Sequence, residues 1–186
     1  VDIDLSRKYQ VFSGDNLKVL LTLPDESVDL IYIDPPFNTG KVQARKQMKT
    51  VRSEDGDRVG FQGRSYKSEI LGEKAYLDRF DDFHAFIISR LEEAHRILKP
   101  SGSLYFHIDY REVHYCKIIL DGIFGRDSFL NEIIWAYDYG GRPKRKWPAK
   151  HDNILFYVKD TKQYFFSQDQ IDRIPFYWEK SGSLQY

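Results

Sequence analysis

Apolar residues fall into short unbroken runs, interrupted by one long polar gap and one helical stripe. Tyr9-Gln10-Val11-Phe12 reads as a first strand, closed by Ser13-Gly14-Asp15. Asn16 to Leu23 reads as a short helix carrying Leu17, Val19, Leu20, Leu21 and Leu23. Pro24-Asp25-Glu26-Ser27 turns the chain into Val28, where the run Leu30-Ile31-Tyr32-Ile33 predicts a strand buried on both faces. Strand, helix and strand at this spacing predict a βαβ unit with a parallel pair. The clearest helix spans Asp82 to Leu98, with Phe83, Phe86, Ile87, Leu91, Ala94 and Leu98 on one stripe. Lys99-Pro100-Ser101-Gly102 stops it. Ser103 to Ile108 reads as a third strand and Arg111 to Phe124 as a helix. Glu132 to Tyr137 and Asn153 to Lys159 read as a fourth and a fifth strand, with Tyr164-Phe165-Phe166 a candidate sixth. Asp109 and Glu112 have capping-box spacing, so Asp109 reads first as an N-cap and second as a substrate contact. The pattern predicts an α/β fold with a parallel pair of strands, in a single domain over 1–186.

Between these elements lie two polar stretches. The segment 38–80, above all Asn38 to Lys74, has no clear periodicity. It carries Lys41, Arg45, Lys46, Lys49, Arg52, Arg58, Arg64 and Lys67 against few acids. A loop of that length is usually functional or disordered. It reads as a flap that grips phosphates, or as a solvated insertion. The stretch 138–152 alternates basic residues with Tyr139 and Trp147 on a backbone stiffened by Pro143 and Pro148. Cations there can hold phosphates while aromatics stack on bases. The bland alternative is a solvated charged loop.

Composition narrows the classes. Lys+Arg and Asp+Glu balance at 28 each, so contact with nucleic acid has to come from local patches. Cys116 is the single cysteine and the five histidines lack ligand spacing, which gives neither a disulfide framework nor a metal site. Without a long apolar run or signal peptide, the chain reads as soluble and cytoplasmic.

The chemistry concentrates where the Val28 strand stops, at Asp34-Pro35-Pro36-Phe37. Open parallel sheets bind ligands beyond the carboxyl ends of their strands. Pro35 biases Asp34 toward extended geometry, and each proline fixes φ and removes an N–H. What remains is a stiff turn of acceptors, one carboxylate and consecutive carbonyls, beside an aromatic face. The exocyclic amine of a nucleobase offers two hydrogens on a flat partner. Asp-Pro is also ordinary turn chemistry. The strand before it and Gly14-Asp15-Asn16-Leu17 upstream make the combination more specific.

Asp34-Pro35-Pro36-Phe37 resembles the catalytic motif of amino-methyltransferases, which methylate adenine or cytosine amines in DNA with S-adenosylmethionine. Asn38-Thr39-Gly40 is similar to the continuation in modification methylases, including modification subunits of type III restriction systems. Lys150-His151-Asp152-Asn153-Ile154-Leu155 also resembles that family, where it leads toward the target-recognition region. The resemblance implies a Rossmann-like methyltransferase sheet, with Asp34, Pro35, Pro36 and Phe37 catalytic. It implies Asp15, Asn16 and Asp34 at the cofactor, and Asn38, Arg142, Lys144, Arg145, Lys146, Trp147 and Lys150 at DNA. A helix N-cap is an equally good and compatible reading of Asp15. Adenine is favoured over cytosine because the family's cytosine-amine enzymes more often carry Ser in place of Asp34. Cytosine-amine transfer, RNA methylation and a catalytically silent nucleic-acid-binding module stay open. The family's glycine-rich F-x-G-x-G motif follows the recognition region and is not found up to Tyr186. The sheet is therefore expected to be incomplete at its C-terminal end, with an unpaired edge. The partners implied are DNA and either a restriction subunit or the missing C-terminal half.

Overall fold

The computed structural model describes residues 8–52, 58–59, 65–138, 141 and 143–168. Its centre is a four-stranded sheet of β1 (Val28–Ile33), β5 (Leu98–Asp109), β6 (Phe129–Ala136) and β7 (His151–Val158), in the order β1-β5-β7-β6. β1 and β5 run parallel, and β7 is antiparallel to both of its neighbours. Helices α2 (Phe83–Ile97) and α3 (Val113–Phe124) pack on one face. Alternation dictates which residues meet them. Leu104, Phe106 and Ile108 of β5 join Leu155 and Tyr157 of β7 in the core with Ile87, Leu91, Cys116 and Leu120. Each such fully buried side chain contributes roughly 1.5–3 kcal/mol.

α2 follows its sequence pattern. The Asp82 side chain caps it by accepting from Ala85 N at 2.9 Å, and Phe83, Ile87, Leu91, Ala94 and Ile97 are buried. The chain passes from Ile97 straight into β5, so Lys99 to Gly102 lie inside a strand. Pro100 is accommodated because the β1–β5 register breaks there, with Val28 opposite Leu98 and Leu30 already opposite Ser103.

Several expectations are corrected. Tyr9 to Phe12 do not form a strand. Tyr9 and Val11 are strongly exposed, and β1 takes its parallel partner from β5. β1 is an edge strand among the described residues, and its burial pattern shows that it is not buried on both faces. Ile31 and Ile33 pack on the core while Leu30 and Tyr32 are exposed. Helix α1 covers only Asn16–Leu20, and Leu21 is exposed beyond it.

The polar segment after Asn38 is not structureless. β2 (Lys41–Arg52) and β4 (Ser65–Asp78) pair antiparallel, and short β3 (Arg58–Val59) adds to β4. A ribbon satisfies the backbone groups that a long irregular loop would leave unpaired. Lys46 stands opposite Glu73 and Lys49 opposite Glu69. The charged positions that hid any apolar period thus stand in register.

α3 starts at Val113, two residues later than the pattern suggests, and Glu112 is its N-cap without a side-chain cap bond. Asp109 is not the cap. It ends β5, and its carboxylate takes the Arg111 backbone N–H at 3.0 Å and the Arg111 guanidinium. Tyr164 to Phe166 form no strand and lie exposed, tied back by Phe165 N to Ser101 O at 3.1 Å. Among the described residues no helix is long and apolar enough to cross a membrane.

Candidate functional site

β1 delivers Asp34 to the carboxyl end of the sheet, its side chain 60% exposed. Pro35 behind it is buried, and Phe37 is half-buried against the core. The turn that follows is locked from β4. Asp78, the last residue of β4, is 2% exposed. Its carboxylate accepts from Asn38 N and Thr39 N, each at 3.0 Å, and from Thr39 Oγ1 at 2.7 Å. Asn38 sits at φ 51° and Gly40 at φ 71°, a conformation that Asn and Gly adopt most readily. The Asn38 amide donates to Glu112 Oε1 at 2.9 Å and accepts from Phe80 N at 3.3 Å. Glu112 also meets His84 Nε2 at 3.3 Å. The ribbon and α3 therefore hold the turn from two sides.

Beside Asp34 stands His107, on the face of β5 opposite the helices. Its Nδ1 lies 3.3 Å from Asp34 Oδ1 and 3.1 Å from Tyr32 Oη. Its Nε2 faces Asp152 Oδ2 at 3.6 Å. The ring meets Phe37 edge-on at 5.4 Å and lies nearly parallel to Trp135 at 6.1 Å. Burial, and then the Asp34 charge, push the Tyr32 hydroxyl above its ordinary value, so it keeps its proton. Burial likewise raises the carboxyl of Asp109, near Asp152. Among the described residues no group of three or more His, Cys, Asp or Glu could hold a metal ion.

Asp15 caps α1, accepting from Leu17 N at 3.1 Å, and pairs with Arg90 of α2 at 2.7 Å. The Leu17 N–H and then Arg90 hold its carboxyl below the ordinary value. Both bonds go to Oδ1, which leaves Oδ2 for a ligand hydroxyl. Asn16 takes the Arg90 Nε–H at 2.9 Å. Asn16 and Arg90 also line a crevice of about 160 Å³ with Leu20, Ile31, Tyr32, Ile33 and Phe106. That is smaller than the roughly 300–1,000 Å³ of a whole-ligand pocket, so it suits one flat portion of a larger molecule.

In the loop between β6 and β7, Lys144, Arg145 and Lys146 are exposed and Trp147 is 93% exposed. Lys150 instead closes the loop base, its ammonium on Asp138 O and its carbonyl on Tyr137 N at 3.0 Å. Arg142 lies outside the described residues. The structure thus brings Asp34, Pro35 and Phe37 together with Tyr32 and His107, and brings Asn16 to the crevice beside Tyr32 and Ile33. Three residues of the site are not read as such in the sequence: Asp78, Glu112 and His107. Glu112 shows there only as half of a capping box, and His107 as the polar member of the run Tyr105-Phe106-His107-Ile108.

A family model described as DNA methylase matches residues 28–180. The type II methyltransferase M.KpnI of Klebsiella pneumoniae is 31% identical over 83% of this chain and 33% of its own length. The DNA adenine methyltransferase YhdJ of Escherichia coli K12 is 29% identical over 87% of this chain and 45% of its own. The Mod subunit of the type III restriction-modification enzyme EcoP15I of Escherichia coli is 29% identical over 84% and 25%. The chain thus spans a quarter to just under half the length of these relatives. A solved structure of a DNA modification methylase candidate from Thermus thermophilus superposes at TM-score 0.50 and 19% identity. It covers 84% of this chain and 55% of that one, and supports the fold.

Proposed function

Because the chain belongs to the DNA methylase family, we propose that it forms the catalytic part of an enzyme that methylates the exocyclic amine of adenine in DNA, with S-adenosylmethionine as donor. One observation carries this reading. An exposed carboxylate, Asp34, stands at the carboxyl end of β1 on a turn locked by Asp78, with Phe37 and His107 beside it.

The amine of adenine is a weak nucleophile because its lone pair is delocalised into the ring. Asp34 and the Pro35 carbonyl accept its two hydrogens and draw the nitrogen toward tetrahedral geometry. Positioning and fixed electrostatics of this kind supply much of the catalysis. A base has to leave the duplex to reach such a site, and Phe37 gives it an aromatic wall. The crevice beside Asn16 suits the adenosine part of the donor, with Asp15 Oδ2 for a ribose hydroxyl. When bound, the donor supplies an electrophilic methyl group on a sulfonium. Lys144, Arg145, Lys146 and Trp147 are exposed as DNA contacts require. Lys150, Arg142 and Asn38 belong to the same proposed surface, with Lys150 and Asn38 also holding the loops in shape.

Adenine is supported by the relative named a DNA adenine methyltransferase. A restriction subunit is proposed as partner on the strength of the type III Mod relative. A cytoplasmic location is part of the same proposal. The test is transfer of labelled methyl groups to DNA by the whole protein. Asp34→Ala is expected to lose about 100-fold or more while DNA affinity stays nearly unchanged. Near-normal turnover of that variant in single-turnover conditions would show that the assignment of Asp34 is wrong.

A further inference from the structure

We propose that His107 is a positioning residue for Asp34: its Nδ1–H holds one carboxylate oxygen and turns the other toward the substrate amine. This rests on the assignment of Asp34 above. The sheet itself makes the pair. β1 and β5 run parallel with Ile33 opposite Phe106, so positions 34 and 107 fall side by side at the strand ends.

Left alone, an aspartate 60% exposed on a turn samples several rotamers, and each productive encounter costs that freedom. The His107 side chain is only 14% exposed. Phe37 meets its edge, Trp135 lies nearly parallel to it, and Asp152 backs Nε2. Both ring nitrogens therefore face a carboxylate, and Nε2 is buried with no hydrogen-bond partner. Nδ1 lies 3.3 Å from Asp34 Oδ1, within ion-pair distance, and 3.1 Å from Tyr32 Oη, its hydrogen-bond partner. A fixed ring gripping a mobile carboxylate is how supporting side chains orient the groups that touch substrate.

Side-chain length separates this role from packing. Asn at position 107 keeps a donor near the place of Nδ1. Gln carries its amide farther out, toward the place of Nε2. In single-turnover methyl transfer by the whole protein, His107→Gln and His107→Ala are expected to lose about 10- to 100-fold, with KM for DNA and donor unchanged. His107→Asn should return to within a few-fold of the wild type. Equal rates for Asn and Gln, or an unchanged rate for Ala, would overturn the proposal. A second measurement needs no activity. Nitrogen NMR of the imidazole in the 186-residue chain should show a proton on Nδ1 whose signal moves in Asp34→Ala. An unprotonated Nδ1 sinks the proposal even if Asp34 proves essential. A protonated Nδ1 paired to Asp34 without any methyl transfer leaves the pair standing and rejects the function.

Discussion

Phe37 is half-buried on the core and edge-on to His107, so core packing and the proposed recognition of the base fall on one side chain. Phe37→Ala is expected to cost roughly 1–3 kcal/mol of base stacking and a comparable amount of folding stability. Phe37→Leu separates the two, because it keeps apolar volume and loses the π-face. Denaturant unfolding of both variants, beside a fluorescent base analogue at the target position, reads the split. An unaltered analogue signal in Phe37→Leu would make the ring purely structural. His95 gives a prediction in pH. It lies edge-on to Phe124 at 4.8 Å, and burial, then the Lys159 charge, lower its pKa. The unfolded chain therefore binds the proton more readily than the fold does. Stability is complete above about pH 6.5 and is lost as pH falls toward the folded value. Unfolding at about pH 7.5 and about pH 5.5, on either side of the ordinary histidine value, should show a smaller loss in His95→Asn than in the wild type. The identity of Asp34, Phe37 and their turn was legible in the sequence, because a rigid Asp-Pro-Pro motif needs no partner to define its chemistry. Asp78, Glu112 and His107 were not, because each acts only through residues distant in the chain.

Among the elements, the ribbon is the one the polarity pattern concealed. Its last residue places an acid under the turn that follows Asp34, so the ribbon is coupled to the candidate site through Asp78. Asp78→Ala leaves three donors without their acceptor. It is expected to destabilise the fold by about 2–4 kcal/mol and to slow methyl transfer although Asp34 is untouched. The denaturant midpoint and a single-turnover rate check this, and an unchanged midpoint would remove the lock. α2 is the opposite case, since periodicity and cap agree. Asp82→Ala should cost about 1 kcal/mol with the site intact, read as a shift in the thermal midpoint. α3 shows what a spacing rule misses. Asp109 and Glu112 look like a capping box, yet Asp109 belongs to β5 and Glu112 bonds Asn38 and His84.

At the scale of the whole molecule, the balanced charge leaves the proposed DNA contact to local surfaces, and Lys144, Arg145 and Lys146 are exposed together in the β6–β7 loop. Replacing all three by Ala is expected to weaken DNA binding without unfolding the protein. Each lost phosphate contact should lower the dependence of log K on log salt by about 0.9. Trp147→Ala should reduce affinity or base flipping and leave that slope alone. Titrations at several salt concentrations distinguish the two, and an unchanged slope in the triple variant would move the contact to the ribbon. The sequence by itself determined the α/β class, the strands β1, β5, β6 and β7, the helices α2 and α3, and the turn that carries Asp34. Those features are local: period, breaker residues and a stiff motif act over a few neighbours. Only the tertiary structure decided which strands pair, that β1 is an edge with one open face, that Tyr9 to Phe12 find no ladder, and that the polar gap folds as a ribbon. It also decided that Asp78 and His107 meet the turn. Pairing and burial depend on which surface arrives opposite, and no local pattern records the partner.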